Sequence, residues 1–144
     1  MVQQEALALI ESGKNVLLTG AAGSGKTYLL REMIARAKAD GKHVAVTATT
    51  GLAATHLSGA TIHSWAGIGV ADTVWPGMLS KMPASRKDTI RKADILVIDE
   101  ISMLHDYRLD MVDTVLQAVR ESSQPFGGVQ VVLCGDFFQL PPVT

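Results

Sequence analysis

The sequence has little of what marks secreted or membrane-bound proteins. Cys134 is the single cysteine among 144 residues, which excludes an internal disulfide framework and suits a reducing compartment. No apolar stretch approaches the length of a membrane span, and the first five residues lack the basic start and apolar run of a signal peptide. We therefore expect an intracellular protein with no membrane partner: cytoplasmic if bacterial or viral, nuclear or mitochondrial if eukaryotic.

A strong charge of either sign is also missing. The net charge is −1 and the pI is near 6.4, so bulk charge gives no sign of a nucleic-acid partner, although a local groove can be basic on a neutral protein. The chain is instead rich in apolar residues, with 47% hydrophobic and 19% charged residues. This length and composition predict one globular domain with a substantial core.

Short apolar runs alternate with longer helical patterns along the chain. The expected strands are Val16–Thr19, His43–Ala48, Ile95–Asp99 and Val129–Cys134. The expected helices are Gln3–Ser12, Lys26–Ala39, Leu52–Ser58 and Arg108–Glu121. This alternation predicts the α/β class, with a mostly parallel central sheet covered on both faces. Residues 67–92 are expected to be irregular, because Pro76, Gly77 and Pro83 interrupt regular elements.

The segment Gly20-Ala-Ala-Gly-Ser-Gly-Lys-Thr27 satisfies the phosphate-loop pattern G-x-x-x-x-G-K-[ST], between an expected strand and an expected helix. Its glycines let the backbone curl so that several N–H groups point at one anion, and the helix N-terminus adds unpaired donors. Lys26 is expected between the β- and γ-phosphates, and the Thr27 hydroxyl is expected to ligate Mg²⁺. A chance match is about one in a few hundred at average glycine usage, so the segment predicts a nucleoside-triphosphate site.

Two carboxylates, Asp99 and Glu100, stand where the expected strand Ile95–Asp99 ends. A buried parallel strand delivers its last side chains to the carboxyl edge of the sheet, where the phosphate loop also lies. Asp99 is then placed to hold Mg²⁺ through water, and Glu100 to polarise the attacking water. Alone, the pair is equally well explained as solvated carboxylates. With the phosphate loop, it favours a hydrolase over a kinase.

Gln139 follows the last expected strand, on the same edge of the sheet. A neutral amide there is suited to hydrogen-bond the γ-phosphate or the lytic water and to register the loss of that phosphate. An ordinary surface loop explains a lone glutamine as well.

Six segments together carry a pattern far more specific than the phosphate loop alone. They are Thr19–Thr27, Thr47–Ala54, Gly59–Ser64, Ile98–Leu104, Pro125–Gln130 and Gly135–Val143. In this order they resemble the PIF-one-type (petite integration frequency) DNA helicases of superfamily 1B. The resemblance implies a RecA-like, three-layer P-loop NTPase fold, with residues 1–144 forming a single ATP-binding domain, the first of two motor domains. The second motor domain, which in this family supplies arginine fingers and half of the DNA track, is absent from the chain.

The resemblance also implies roles for the matching residues. In the ATP-binding set, Gln3, or its neighbour Gln4, reads adenine, and the other members are Gly20, Ala22, Gly23, Ser24, Gly25, Lys26, Thr27 and Tyr28. The catalytic residues are Lys26, Glu100 and Gln139, and the Mg²⁺ ligands are Thr27 and Asp99. The residues expected at single-stranded DNA are Thr49, Thr50, Gly51, Thr61, His63 and Ser64. From the residues alone, Thr61–Ser64 is better explained as a short edge strand, and Trp65 and Trp75 as either base-stacking or core residues.

The favoured hypothesis is the ATP-binding and hydrolysing motor domain of an ATP-dependent 5′-to-3′ DNA helicase acting in replication, repair or recombination. It uses ATP and Mg²⁺ and has single-stranded DNA and a second RecA-like domain as partners. A RecD-like or conjugative-transfer P-loop ATPase is one alternative, and a non-enzymatic nucleotide-binding switch is another. Without the second domain, we expect weak ATP binding, slow hydrolysis and no unwinding.

Overall fold

The computed structural model describes residues 3–19, 26–49, 60–68, 77–101, 104 and 106–135, and their side chains except those of residues 3–6, 19, 26, 27 and 106. Its helices are α1 (Gln3–Glu11), α2 (Lys26–Ala39), α3 (Ile62–Trp65), α4 (Met78–Lys81), α5 (Ala84–Lys92) and α6 (Asp106–Val119). Its strands are β1 (Val16–Thr19), β2 (Val44–Ala48), β3 (Ala60–Thr61), β4 (Ile95–Asp99) and β5 (Gln130–Gly135). The four predicted strands and three of the predicted helices are thus confirmed, with ends within two residues. The predicted helix Leu52–Ser58 lies outside the described residues.

The strands form one sheet in the order β1-β5-β4-β2-β3, and every neighbouring pair is parallel. β4 is the central strand and pairs along its length with β2, from Val44 opposite Ile95 to Ala48 opposite Asp99. Because all strands run in one direction, their carboxyl ends meet along a single edge of the sheet. The predicted α/β class with a parallel central sheet is confirmed.

The side chains of β4 alternate between two layers of helices. Ile95 and Val97 pack in a core with residues of α1 and α2, including Ile10, Leu30 and Met33. Leu96 and Ile98 pack on the other side of the sheet, with residues of α5 and α6 that include Ile90, Val112 and Leu116. A strand covered on both faces has no polar position until it ends. The sheet is therefore the middle of three layers, and Asp99 is the first polar side chain of β4.

The prediction that residues 67–92 are irregular is wrong for most of the part that the structure describes. Gly77 has a φ of 89° and directly precedes α4, and Pro83 directly precedes α5. A proline costs little at a helix start, because the first N–H groups of a helix have no intrahelical partner. These residues therefore mark where helices begin. Ile90, fully buried, anchors α5 to the core.

Sequence reasoning also missed α3, which is too short for a periodic pattern and occupies most of the segment interpreted as an edge strand. Trp65, at the end of α3, is 5% exposed and belongs to the core on the α6 side of the sheet. Of the two interpretations of Trp65, core packing is therefore the correct one. Trp75 lies outside the described residues.

A single arginine ties α5 to the turn before β5. Arg120 donates from Nε to the Gly127 carbonyl at 2.8 Å. Its Nη1 lies 3.1, 2.7 and 3.1 Å from the carbonyl oxygens of Ile90, Arg91 and Ala93. The last carbonyls of a helix lack intrahelical donors, and the partly buried Arg120 supplies donors and a positive charge at this end of α5. Arg120 therefore fixes where the chain leaves α5 and enters β4.

The Pro125–Gly128 turn is a 3-10 segment that contains the Pro-Phe-Gly-Gly part of the segment Pro125–Gln130. The Phe126 N–H donates to Asp113 Oδ1 at 2.6 Å, which docks the turn on α6. Gly127 has a φ of 63°, and a methyl group placed on it would lie 2.6 Å from the Leu116 carbonyl oxygen. Only glycine fits a left-handed position this close to another backbone. These contacts fix the Pro125–Gly128 turn against α6 and thereby determine where the chain enters β5.

Replacing Gly127 with alanine is expected to destabilise the domain beyond the ordinary cost of a left-handed alanine. That ordinary cost is about 1–2 kcal/mol. The added methyl group also clashes with the Leu116 carbonyl oxygen, a backbone atom of α6 that cannot move aside without distorting the helix. Gly41→Ala is the matched control, since Gly41 has a φ of 83° but no heavy atom within 4 Å of the added methyl group. Urea unfolding of both variants measures the difference. Equal loss of unfolding free energy in both would contradict this role for Gly127.

Candidate functional site

The predicted phosphate loop is flanked by the elements that such a loop needs. β1 ends at Thr19 and α2 begins at Lys26, so strand and helix are both present at the predicted boundaries. Lys26 and Thr27 form the start of α2, and the six residues between strand and helix, including Gly20, Ala22, Gly23, Ser24 and Gly25, lie outside the described residues. The strand–loop–helix context that the sequence predicted is therefore confirmed for the flanking elements.

The structure describes the other predicted nucleotide-site residues, Tyr28, Gln3 and Gln139, to different extents. Tyr28, in the first turn of α2, is 65% exposed, which leaves its ring accessible. Gln3 begins α1, and its side chain is not described. Gln139 follows Gly135, the end of β5, by four residues and lies outside the described residues. Because Gly135 pairs with Thr19, β5 ends beside the start of the phosphate loop.

Asp99 and Glu100 lie half-buried at the carboxyl end of the central strand. The Glu100 N–H donates to Asp99 Oδ1 at 2.8 Å, so one carboxylate oxygen of Asp99 is engaged by the next backbone amide. Glu100 has a φ of 59°, in the left-handed region. For a residue with a side chain, this costs on the order of 1–2 kcal/mol. The chain thus turns sharply where the predicted catalytic carboxylate stands.

Thr47 in β2 and Thr49, which follows β2, form hydrogen bonds across to β4 and to the residue after it. The Thr47 hydroxyl donates to the Val97 carbonyl at 2.6 Å, in the fully buried part of the sheet. The Thr49 N–H donates to the Asp99 carbonyl at 3.3 Å, and the Thr49 hydroxyl donates to the Glu100 carbonyl at 3.1 Å. These partners, about fifty residues away in sequence, are set by strand register. Sequence reasoning missed them, and the only available signal was a hydroxyl residue in an otherwise apolar run.

The predicted DNA-contacting residues that the structure describes lie along the same edge. Thr61 pairs with Ala48, which pairs with Asp99, so the ends of β3, β2 and β4 stand side by side. Thr61 also caps α3, where its Oγ1 accepts from the Ser64 N–H at 3.2 Å. The edge-strand interpretation of Thr61–Ser64 is correct only for Thr61, the last residue of β3, because Ile62–Ser64 belong to α3. DNA contact stays a prediction. Thr50 and Gly51 lie outside the described residues.

His63 has an electrostatic environment that opposes protonation. Its partial burial is the larger cause of a lowered pKa, and the positive charge of Arg108 on α6 is the second. Arg108 in turn lies with its guanidinium carbon 5.4 Å from the centroid of the Tyr107 ring. A neutral imidazole donates through one nitrogen and accepts through the other. His63 is therefore expected to be a neutral hydrogen-bonding group near pH 7.

We expect the pKa of His63 in the folded protein to lie below its ordinary value of 6.5. The unfolded chain then binds more protons than the folded chain as the pH falls below about 6.5. The contribution of His63 to the free energy of unfolding is therefore present above about pH 6.5 and is lost at lower pH. Arg108→Gln is expected to raise the pKa of His63 only in part, because burial remains, whereas Arg108→Lys keeps the charge and leaves it low. An NMR titration of the imidazole measures all three. An unchanged pKa in Arg108→Gln would refute the electrostatic part of this account.

Across the described residues, no helix is long and apolar enough to cross a membrane. Groups of three or more His, Cys, Asp or Glu side chains that could hold a metal ion are likewise not found in that part of the chain.

Comparison with known proteins places these features in a family. The family model described as PIF1-like helicase matches residues 2–144. The "ATP-dependent DNA helicase Pif1" of Psychrobacter sp. (strain PRwf-1) is 52% identical over 145 residues, covering 99% of this chain and 22% of that protein. The chain spans about a fifth of the length of the curated relatives it matches.

Solved structures agree in fold. The crystal structure of Pif1 helicase from Candida albicans superposes with a TM-score of 0.89 at 40% identity, over 99% of this chain and 33% of that one. Pif1 helicase from Bacteroides, in complex with ADP-AlF3 and ssDNA, gives a TM-score of 0.86 at 40% identity, over 100% of this chain and 34% of that one. The predicted RecA-like P-loop fold is confirmed, and the RecD-like and conjugative-transfer alternatives are not favoured. The chain belongs to the PIF1-like helicase family.

Proposed function

We propose that this chain is the ATP-hydrolysing first motor domain of an ATP-dependent 5′-to-3′ DNA helicase that acts in replication, repair or recombination. The proposal rests on one observation: the predicted carboxylates and the start of the phosphate-loop pattern lie at the same edge of the sheet. β4 ends in Asp99 and Glu100, and β1, one strand removed across β5, ends where the phosphate-loop pattern begins. Family membership and the nucleotide and ssDNA complexes of a relative support the same function.

In this proposal the phosphate loop and the start of α2 bind ATP. The set comprises Gln3, with Gln4 as the alternative reader of adenine, and Gly20, Ala22, Gly23, Ser24, Gly25, Lys26, Thr27 and Tyr28. A helix N-terminus presents unpaired N–H groups and a positive dipole end to the phosphates. Lys26 neutralises the charge that develops on the transferred phosphoryl group.

The residues fit a hard divalent cation such as Mg²⁺. The Glu100 amide engages only Oδ1 of Asp99, half-buried at the carboxyl edge, so this carboxylate retains acceptor capacity for a metal-bound water. Thr27 would supply a hydroxyl ligand from the first turn of α2. Bound there, Mg²⁺ would neutralise phosphate charge. Glu100 orients and deprotonates the attacking water, and Gln139 senses the γ-phosphate.

Single-stranded DNA would run along the edge formed by the ends of β2 and β3. The proposed contacts are Thr49, Thr50, Gly51, Thr61, His63 and Ser64. Small and hydroxyl side chains offer donors to phosphates without blocking a groove, and the exposed Ser64 and the neutral His63 fit that chemistry. The second RecA-like domain would complete both the ATP site and the DNA track. An intracellular location, nuclear or mitochondrial if the source is eukaryotic, follows from such a role.

Two substitutions are expected to affect ATP binding and ATP hydrolysis separately. Lys26→Ala should weaken ATP binding at least about tenfold, because a phosphate contact is lost. Glu100→Gln should bind ATP within about twofold of the unmodified protein but turn it over about 100-fold more slowly, the scale expected for a general base. Fluorescent-nucleotide titration and phosphate release measure the two effects. Glu121→Gln is the matched control, since Glu121 is an exposed glutamate with a φ of 52° in the turn that follows α6.

The same pair of variants decides between the motor and a non-enzymatic switch. A switch needs Lys26 for binding but tolerates loss of the base. Normal signalling or partner binding by Glu100→Gln, with no turnover by the unmodified protein, would favour the switch.

The 144 residues alone are expected to hydrolyse ATP slowly, with little stimulation by single-stranded DNA, and not to unwind duplex DNA. The reason is that the family's arginine fingers and half of its DNA track belong to the second domain. The longest natural polypeptide containing this chain is expected to show DNA-stimulated turnover. ATPase assays of both, with and without single-stranded DNA, make the comparison. Robust unwinding by a monomer of these 144 residues would contradict the proposal.

A further inference from the structure

The residue that follows β2 bonds the backbone of both carboxylates of the proposed site, Asp99 and Glu100. Thr49 follows Ala48, the last residue of β2, and its side chain is buried, with 9% of the residue exposed. Its N–H bonds the carbonyl of Asp99 and its hydroxyl bonds the carbonyl of Glu100. Thr49 thus joins the end of β2 to the two residues at the end of β4.

The Thr49 hydroxyl gives the Glu100 carbonyl a hydrogen bond that the backbone of β2 does not provide. The β2–β4 ladder ends with Ala48 opposite Asp99, and Glu100 then turns into the left-handed region at a φ of 59°. This turn takes the Glu100 carbonyl out of the strand direction. The Thr49 hydroxyl, 3.1 Å away, supplies the donor that the ladder no longer provides. A partly buried carbonyl without a donor is unfavourable, so this contact stabilises the turned conformation.

We propose that Thr49 is a positioning residue for Glu100: the Thr49 hydroxyl holds the Glu100 carbonyl and thereby the turned backbone that directs the hydrolytic carboxylate. This inference rests on the proposed function of Glu100 as the base for water. The backbone conformation at Glu100 fixes the direction of its Cα–Cβ bond, and hence where the carboxylate lies. A shift of Thr49 along β2 moves the Glu100 carbonyl that its hydroxyl holds. Catalytic groups are sensitive to such displacements, since about 1 Å can change a rate about 100-fold.

The fold supplies a matched control for this bond. Thr47, two residues earlier on β2, donates its hydroxyl to the Val97 carbonyl at 2.6 Å, also across to β4. Thr47 is 1% exposed, so its bond is at least as well shielded from water as that of Thr49. Thr47→Val and Thr49→Val remove the same group from the same strand pair. They differ in that only Thr49 holds the carbonyl of Glu100.

The experiment measures ATP turnover at saturating ATP, with and without saturating single-stranded oligonucleotide, in the longest natural polypeptide that contains this chain. Thr49→Val is expected to lower kcat about 10- to 100-fold, with the Kd for ATP within about twofold, because phosphate-loop contacts are unchanged. Thr49→Ser, which keeps the hydroxyl, is expected to restore most of the turnover. Thr47→Val is expected to lower stability but to leave kcat within about twofold.

Three kinetic results would overturn the inference. The first is unchanged kcat in Thr49→Val, and the second is an equal loss in Thr47→Val, which would make the effect one of general packing. The third is a weaker oligonucleotide affinity in Thr49→Val with normal kcat at saturating oligonucleotide, which would make Thr49 a DNA contact only.

A crystal structure of Thr49→Val gives a readout that does not need activity. Glu100 is expected to leave the left-handed region once its carbonyl loses the hydroxyl donor. Retention of a φ near 59° would overturn the positioning role. If the unmodified protein shows no ATP turnover, the proposed function fails, and this structural comparison still decides whether Thr49 holds Glu100.

Discussion

The parallel pairing of β4 with β2 and β5 is the constraint on which the rest of the structure depends. It places an entirely apolar strand, Ile95–Ile98, between two helical layers, with each of these residues no more than 2% exposed. Burying such side chains contributes about 1.5–3 kcal/mol each. A one-residue slip of the strand would reverse which side chains meet which layer. Register is therefore strongly specified, and with it the position of Asp99 at the strand end.

The same register explains how the site tolerates an unfavourable backbone. Glu100 adopts a left-handed conformation that the surrounding contacts must stabilise. Asp99 accepts from its amide, and Thr49, brought alongside by the pairing of Ala48 with Asp99, donates to its carbonyl. A strained backbone conformation persists only where several neighbouring contacts hold it, and such conformations are most common at functional sites. The local chemistry at the end of β4 thus follows from the pairing along its whole length.

Much of the fold could be predicted because its strands are continuous apolar runs between polar turns. Ile95–Asp99 and Lys26–Ala39 were predicted with the ends that the structure gives. The helix Ala84–Lys92 could not be, since it buries only Ile90 and is introduced by Pro83, which read as a breaker. In the site, residue types at strand ends indicated Asp99 and Glu100, but not the bond from Thr49, whose partner is 51 residues away and depends on register. Local sequence patterns therefore predict secondary-structure elements and motifs. Long-range hydrogen bonds depend on which strands pair and in which register, and local patterns do not predict that.

The most direct test of the account is a crystal structure of the protein with ADP, aluminium fluoride and Mg²⁺. We expect the nucleotide phosphates to lie at the start of α2. We also expect Asp99 within one water of the metal ion and the Glu100 carboxylate beside the water that faces the fluoride group. Nucleotide bound elsewhere on the domain, or a Glu100 carboxylate directed away from the phosphates, would contradict the central claim. That claim is that the aligned ends of β1 and β4 form the hydrolysis site.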